Sequence, residues 1–349
     1  MEAATEMALV ATKLTAPTVP GGLVERPRLE GMLDGAVADP AVRLVLVSAP
    51  AGSGKSTLIA AWQRDRDDCA WLQADRADQD PARFWSHVVG ALGTVVPGVE
   101  AEAGPTVAAS AAEADPLVER LANTLAASPP VVLVIDDYHL VGDPAIDDAL
   151  GRLIELAPLG FTLVLGTRFD PSLRLSTLRV RGQVVEVRAD TLHFAPEEAG
   201  LLLGAPGADL TPPQVVALCE RTEGWAAGLV LAGLSLDGND DHDAFVTDFQ
   251  GDDRLVVDYL TEEFLAGIDD EDRDRLLRTA VLDRLCGPLV DAVCGGDAGT
   301  AWLQRTASRN QLLIGLDRTG TWFRYHHLLA DVLRSEAERQ GIDVERSHR

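Results

Sequence analysis

The first 190 residues alternate between two hydrophobic patterns. Five short runs are apolar at nearly every position: RLVLVSA (43–49), CAWLQA (69–74), VVLVID (131–136), FTLVLGT (161–167) and VVEVR (184–188). Segments of helical period separate them, among them STLIAAWQRD, ARFWSHVVGAL, DPLVERLANTLAA and AIDDALGRLIELA. A strand that is apolar on both sides must be covered on both sides. The interleaved helices supply that cover, so the pattern predicts a parallel α/β sheet between helical layers. PGVEAEAGPTVAASAAEAD (97–115) has no period and reads as an acidic, Ala-rich loop.

After about Asp190 the strand pattern stops. HFAPEEAGLLL, TPPQVVALCERTEGWAAGLVLAGLSL and DDRLVVDYLTEEFLAGI have helical spacing broken by Pro, Gly and Asp clusters, which predicts a helical domain over 191–268. From about Asp269, EDRDRLLRTAVL, GPLVDAVC and TAWLQRTAS read as helices. Two short strands, LLIGLD and WFRYH, follow across the turn RTG, before a last helix in HLLADVLRSEAERQ. Helices followed by a hairpin predict a winged helix. No internal repeat of solenoid length is present.

The chemistry enters at SAPAGSGKSTL, Ser48 to Leu58. Between a strand and a helix, this loop lets backbone N–H groups and a helix N-terminus converge on an anion. Pro50, Ala51, Gly52, Ser53 and Gly54 form its backbone, with Gly52 and Gly54 allowing close approach to phosphates. Lys55 supplies charge for the β- and γ-phosphates, Ser56 offers a hydroxyl to Mg²⁺, and Thr57 completes the nucleotide-binding stretch. The first glycine of the GxxxxGK[ST] pattern is replaced by Ala49. The loop predicts ATP or ADP with Mg²⁺ as ligands. It does not say whether the nucleotide is consumed rapidly or marks the state of a switch.

VVLVIDDYHL delivers two carboxylates at a strand end. Asp136 is placed to hold Mg²⁺, and Asp137 to orient an attacking water. Without the phosphate loop, a strand ending in a solvated Asp pair would be the simpler reading. Arg168, just past FTLVLGT, is positioned either to reach a γ-phosphate or to stay on the surface. DGNDDHD (237–243) lacks the glycine and the terminal glutamate of a calcium loop and reads as an acidic linker. His326 and His327 are adjacent, so they cannot share one helix face as a metal pair, and either serves equally well as a core histidine.

The charge balance narrows the partners. Of 349 residues, 55 are acidic and 30 basic, a formal net charge of −25, which argues against direct nucleic-acid binding spread over this chain. Four scattered cysteines (Cys69, Cys219, Cys286 and Cys294) with no CxxC pair read as buried thiols of a reducing compartment. The N-terminus lacks the basic residues of a signal peptide, and no apolar run reaches the roughly 18 residues of a membrane span. The expectation is a cytoplasmic protein without membrane contact.

These motifs together resemble the N-terminal half of MalT-type regulators, large ATP-dependent transcriptional activators of the LuxR family within the signal-transduction ATPases with numerous domains. The resemblance runs through KLTAPTVPGGLVERPRL, SAPAGSGKSTL, WLQADRADQDPARFW, VVLVIDDYHLV, LVLGTRFDPSLRLSTLRVRG, LHFAPEEAGLLL, TEGWAAGLVLA, LLRTAVLDRLCGPL and WFRYHHLLADVLR. It implies a P-loop nucleotide-binding domain over 21–190 after an N-terminal extension (1–20), a helical lid over 191–268 and a winged helix over 269–345. It further implies that Val24 and Arg26 lie by the adenine, and that His326 reaches the β-phosphate of ADP. Family members commonly carry Pro where this chain has Ala226. They continue into a superhelical sensor that binds the inducer and a helix-turn-helix that binds DNA, neither of which is in this sequence. The implied function is a slow ATPase switch, closed as a monomer with ADP and self-associating with ATP. A fast catalytic P-loop ATPase or kinase, or a module with a purely structural nucleotide, would differ from it in turnover.

Overall fold

The structure, a computed structural model, describes residues 9–19, 21–103, 111–204, 210–236, 241–309 and 312–342. By its internal contacts the chain divides into two units. One takes the chain up to Gly21, Glu25–Ala49 and Lys55–Arg188; the other takes Gly22–Val24, Pro50–Gly54 and everything from Ala189.

The first unit is built on five parallel strands: β1 (Leu44–Ser48), β2 (Cys69–Gln73), β3 (Val131–Asp136), β4 (Phe161–Thr167) and β5 (Val184–Arg188). Their spatial order is β2-β3-β4-β1-β5. All five expected runs are strands. β1, β3 and β4 are buried at every residue, as runs covered on both faces must be, whereas β5 closes one edge and is only half-buried. The core between sheet and helices includes Phe84, Trp85, Leu92, Leu117, Leu133, Leu150 and Leu163. Phe84 and Trp85 are fully buried and meet edge to face at 5.4 Å. Each such ring stabilises the fold by about 1.5–3 kcal/mol.

The segment 97–115 corrects the loop expectation. Val99–Ala103 is helical, and the helix expected from Asp115 already begins at Ala111. Val99 and Ala103 are buried, so two apolar positions among acidic neighbours suffice to dock a short turn of helix. Residues 104–110 lie outside the described residues, as do 1–8, much of 237–243 and 343–349.

ADRADQDPARFW has a structural explanation. Asp75 and Asp78 form a capping box around the turn Arg76–Gln79, and Asp80 caps the helix Pro81–Gly93, whose first residue is a proline. The Asp78 side chain is fully buried, where Lys13 from the N-terminal extension pairs with it and His87 Nδ1 lies 2.8 Å away. Burial alone would push its carboxyl up. The hydrogen bonds from His87 and Lys13 outweigh that and hold it at about 2.

The second unit is helical up to Arg309, then forms an antiparallel hairpin of β6 (Leu313–Gly315) and β7 (Phe323–Tyr325), followed by the helix His327–Arg339. Its core joins Leu218, Trp225, Leu229, Leu260, Trp302, Leu329 and Leu333. Three of the four cysteines are buried as expected, while Cys294 is half-exposed. Among the described residues no helix is long and apolar enough to cross a membrane.

Candidate nucleotide site

In the first unit, β1 ends at Ser48 and the helix Lys55–Gln63 opens with Lys55, Ser56 and Thr57. Lys55 is buried, and Ser56 and Thr57 are half-buried. Asp136 closes β3, where the neighbouring strand makes room for it. A Cβ at Gly166 of β4 would sit 2.1 Å from Asp136 Oδ1, so a glycine there is a spatial requirement. Asp136 is fully buried, and both its carboxylate oxygens lack a hydrogen-bond partner. A buried carboxylate with nothing to pair it is costly, and a cation would relieve that cost. Among the described residues, no group of three or more His, Cys, Asp and Glu could hold a metal by itself. One carboxylate plus the Ser56 hydroxyl suits Mg²⁺, which takes few protein ligands and completes its shell with phosphate oxygens and water.

Asp137 adopts a left-handed backbone (φ 52°), a conformation Asp tolerates better than most residues. Its Oδ2 accepts a 2.7 Å hydrogen bond from Gln73 Nε2. Its Oδ1 lies 3.9 Å from His139 Nδ1. Burial and the adjacent Asp136 raise the Asp137 carboxyl above the ordinary range, against the pull of Lys55, Arg168 and Gln73. His139 is held at about 3 by burial and by the charges of Arg168 and Lys55, so its ring is neutral. Arg168 is half-buried and acts electrostatically on both Asp137 and His139. Arg26 is buried at the start of the helix Pro27–Ala38. The first unit therefore gathers Lys55, Asp136, Asp137 and Arg168 at the C-terminal ends of its strands.

The second unit contains Val24, the loop backbone Pro50–Gly54 and His326. Gly52 and Gly54 both have positive φ (70° and 82°), as the phosphate-loop reading requires. Trp225 Nε1 donates to Ala51 O at 3.0 Å, and Ala227 N donates to Gly52 O at 2.9 Å. A Cβ on Gly52 would meet Ala227 Cβ at 2.4 Å and the Tyr259 hydroxyl at 2.6 Å. Val24 is buried.

TEGW, Thr222 to Trp225, is the hub of this unit. His326, 3% exposed, sets Nε2 3.1 Å from Thr222 O and its ring edge-on to Trp225 at 5.7 Å. Glu223 accepts two hydrogen bonds from the Arg324 guanidinium, at 2.7 and 2.6 Å, and a third from His327 N at 2.9 Å. Gly224 has φ 69°, and a side chain there would meet Phe194 O at 2.6 Å. Because Thr222 O can only accept, His326 Nε2 carries the proton. Burial lowers the ring to about 4, so it is neutral, and its Nδ1 is a buried acceptor without a partner.

Sequence reasoning did not single out Gln73, His139, Gly166, Glu223, Trp225 or Arg324. Gly166, alone in a β-branched strand, was the legible signal. The pairing of Glu223 with Arg324, 101 positions apart, had none.

Comparison with known proteins places this geometry. Residues 24–165 match the AAA ATPase domain and residues 261–345 the MalT winged helix domain. Over 336 residues the chain is 33% identical to the serine/threonine-protein kinase PknK of Mycobacterium tuberculosis, covering 93% of this chain and 30% of that one. It is 32% identical over 340 residues to the HTH-type transcriptional regulator MalT of Cronobacter sakazakii, covering 95% of this chain and 37% of MalT. The chain thus spans about a third of the curated relatives it matches. A Walker-type ATPase of Pyrococcus abyssi shares the fold at a TM-score of 0.59 and 15% identity, over 89% of this chain and 96% of that one. With an AAA ATPase domain and a MalT winged helix domain in one chain, this protein is similar over most of its length to part of the MalT-type regulators.

Proposed function

We propose that the chain is the ATP- and ADP-binding core of a signal-transduction switch that hydrolyses ATP slowly. The proposed division is the extension 1–20, the nucleotide-binding domain 21–190, the lid 191–268 and the winged helix 269–345. The seat of His326 carries the reading. The residue leaves the wing strand, is buried against the TEGW turn, and packs on the tryptophan that holds a carbonyl of the phosphate loop. A plain ATPase has no need of such a tie between wing and loop.

On this reading Lys55 neutralises the β- and γ-phosphates, and the N–H groups of Ala51–Gly54 and the following helix take phosphate oxygens. Asp136 and Ser56 hold Mg²⁺, which supplies charge neutralisation on the phosphates when bound. Asp137 accepts the proton of, or orients, the attacking water. Gln73 holds one of its oxygens in place. Arg168 reports the γ-phosphate. Val24 and Arg26 flank the adenine.

His326 ties the wing to ADP in the closed state. Since its Nε2 is committed to Thr222, contact with a phosphate uses Nδ1, which must first take up a proton. The phosphate charge favours that uptake. The ATP state releases the wing and exposes surfaces for self-association. Inducer and DNA recognition are not assigned to these 349 residues. The likeness to a serine/threonine kinase favours a second reading of the output alone, in which the same core governs an activity other than transcription.

Light scattering with ATP and with ADP, alongside steady-state hydrolysis, tests the proposal. The expected result is a monomer with ADP, larger species with ATP, and turnover well below one per second. Turnover of many per second with no change in mass would instead establish a catalytic ATPase.

A further inference from the structure

Within the second unit, two successive peptides of the phosphate loop have their carbonyls held. Ala51 O accepts from Trp225 Nε1 at 3.0 Å, and Gly52 O accepts from Ala227 N at 2.9 Å. No cis peptide occurs among the described residues. In a planar trans peptide the C=O and the following N–H point in opposite directions. Fixing the Ala51 carbonyl toward Trp225 therefore aims the Gly52 N–H the other way, and fixing the Gly52 carbonyl does the same for Ser53 N–H. These two N–H groups belong to the stretch that would cradle an anion.

The clamp is built to be rigid. Trp225 is 2% exposed, and its ring is wedged between Tyr259 and His326, each with its ring centre 5.7 Å away. The close approach requires glycine at position 52, since a Cβ there would meet Ala227 Cβ at 2.4 Å and the Tyr259 hydroxyl at 2.6 Å.

We infer that Trp225 is a positioning residue for the β-phosphate: its indole N–H sets the orientation of the loop's phosphate-binding N–H groups and links them mechanically to the ring of His326. The inference rests on the reading of Pro50–Gly54 as the phosphate cradle, and it extends that reading to a residue 174 positions away in sequence.

Trp225→Phe keeps an aromatic ring in place and removes the donor together with part of the indole's bulk. Loss of one neutral hydrogen bond predicts ADP affinity lower by about two- to tenfold, measured by calorimetry. Trp225→Ala, which also removes the packing, should lose at least as much. Lys55→Ala serves as the separate arm. If Lys55→Ala binds ADP as the parent does, the phosphate-cradle reading fails. If Lys55→Ala loses ADP while Trp225→Phe keeps parental affinity, the cradle stands and the inference about Trp225 is overturned. Loss confined to Trp225→Ala likewise overturns it, since packing alone would then account for the effect.

Should Trp225→Phe not fold, hydrogen exchange of the six indole protons in the intact parent decides the matter. The inference requires one indole proton to become markedly slower to exchange when ADP binds. Six indole protons unchanged by ADP contradict it.

Discussion

Replacing Glu223 by Gln should break the tie between the TEGW turn and the wing at a cost readable from the structure. The Glu223 side chain is 12% exposed and that of Arg324 27%. Burial pushes the carboxyl up, but the Arg324 hydrogen bonds and the His327 N–H outweigh it and hold it at about 2, against an ordinary 4.5. That depression corresponds to about 3 kcal/mol of stability at neutral pH, at roughly 1.4 kcal/mol per pH unit. The contribution is complete well above the ordinary value and is lost as pH falls from about 4.5 through 2. Glu223→Gln keeps the volume and one acceptor but leaves Arg324 without its counter-charge. Urea unfolding followed by circular dichroism should therefore show the variant less stable by about 3 kcal/mol at pH 7. The gap should narrow steadily as both proteins are taken below pH 4.5. Equal midpoints at pH 7, or a gap independent of pH, would refute the reasoning.

Two further substitutions probe the first unit. Lys55→Ala should weaken ATP binding at least tenfold in calorimetry, since a charge-assisted phosphate contact is worth about 1.5–3 kcal/mol; unchanged affinity removes Lys55 from the site. Asp137→Asn should bind ATP yet fail to cleave it in a single-turnover assay. Because burial and Asp136 raise the Asp137 carboxyl, its charge costs the nucleotide-free fold stability as pH rises, so Asp137→Asn should also melt higher at neutral pH. Cleavage at the parental rate would end the assignment, and a lower melting point would contradict the electrostatics.

Much of the first unit was legible because its physics is local. Continuous apolar runs announced β1, β3 and β4, and the glycines of the phosphate loop announced positive φ at Gly52 and Gly54. Asp136 was legible as a strand-end carboxylate. That both its oxygens would be buried and unpaired depends on Gly166 of the next strand, and so on sheet register. The helix at Val99–Ala103 was missed because two buried apolar residues are too few to set a period. The second unit hides its logic more deeply. Trp225, Glu223 and Arg324 look like an ordinary core residue and two surface charges until the wing strand is folded back, more than 100 residues later, onto the TEGW turn. The phosphate role of His326 came only through family resemblance, and its commitment to Thr222 O was legible in neither pattern nor motif.

The central claim, that the wing latches the nucleotide through His326, is tested most directly by the ADP dissociation rate of His326→Ala against the parent, measured by stopped flow with a fluorescent ADP. A hydrogen bond to a charged acceptor is worth about 1.5–3 kcal/mol. The account therefore predicts release faster by roughly ten- to a hundredfold, with ATP-driven self-association reached more readily. An unchanged off-rate would make His326 a core residue of the second unit and nothing more, and would contradict the latch.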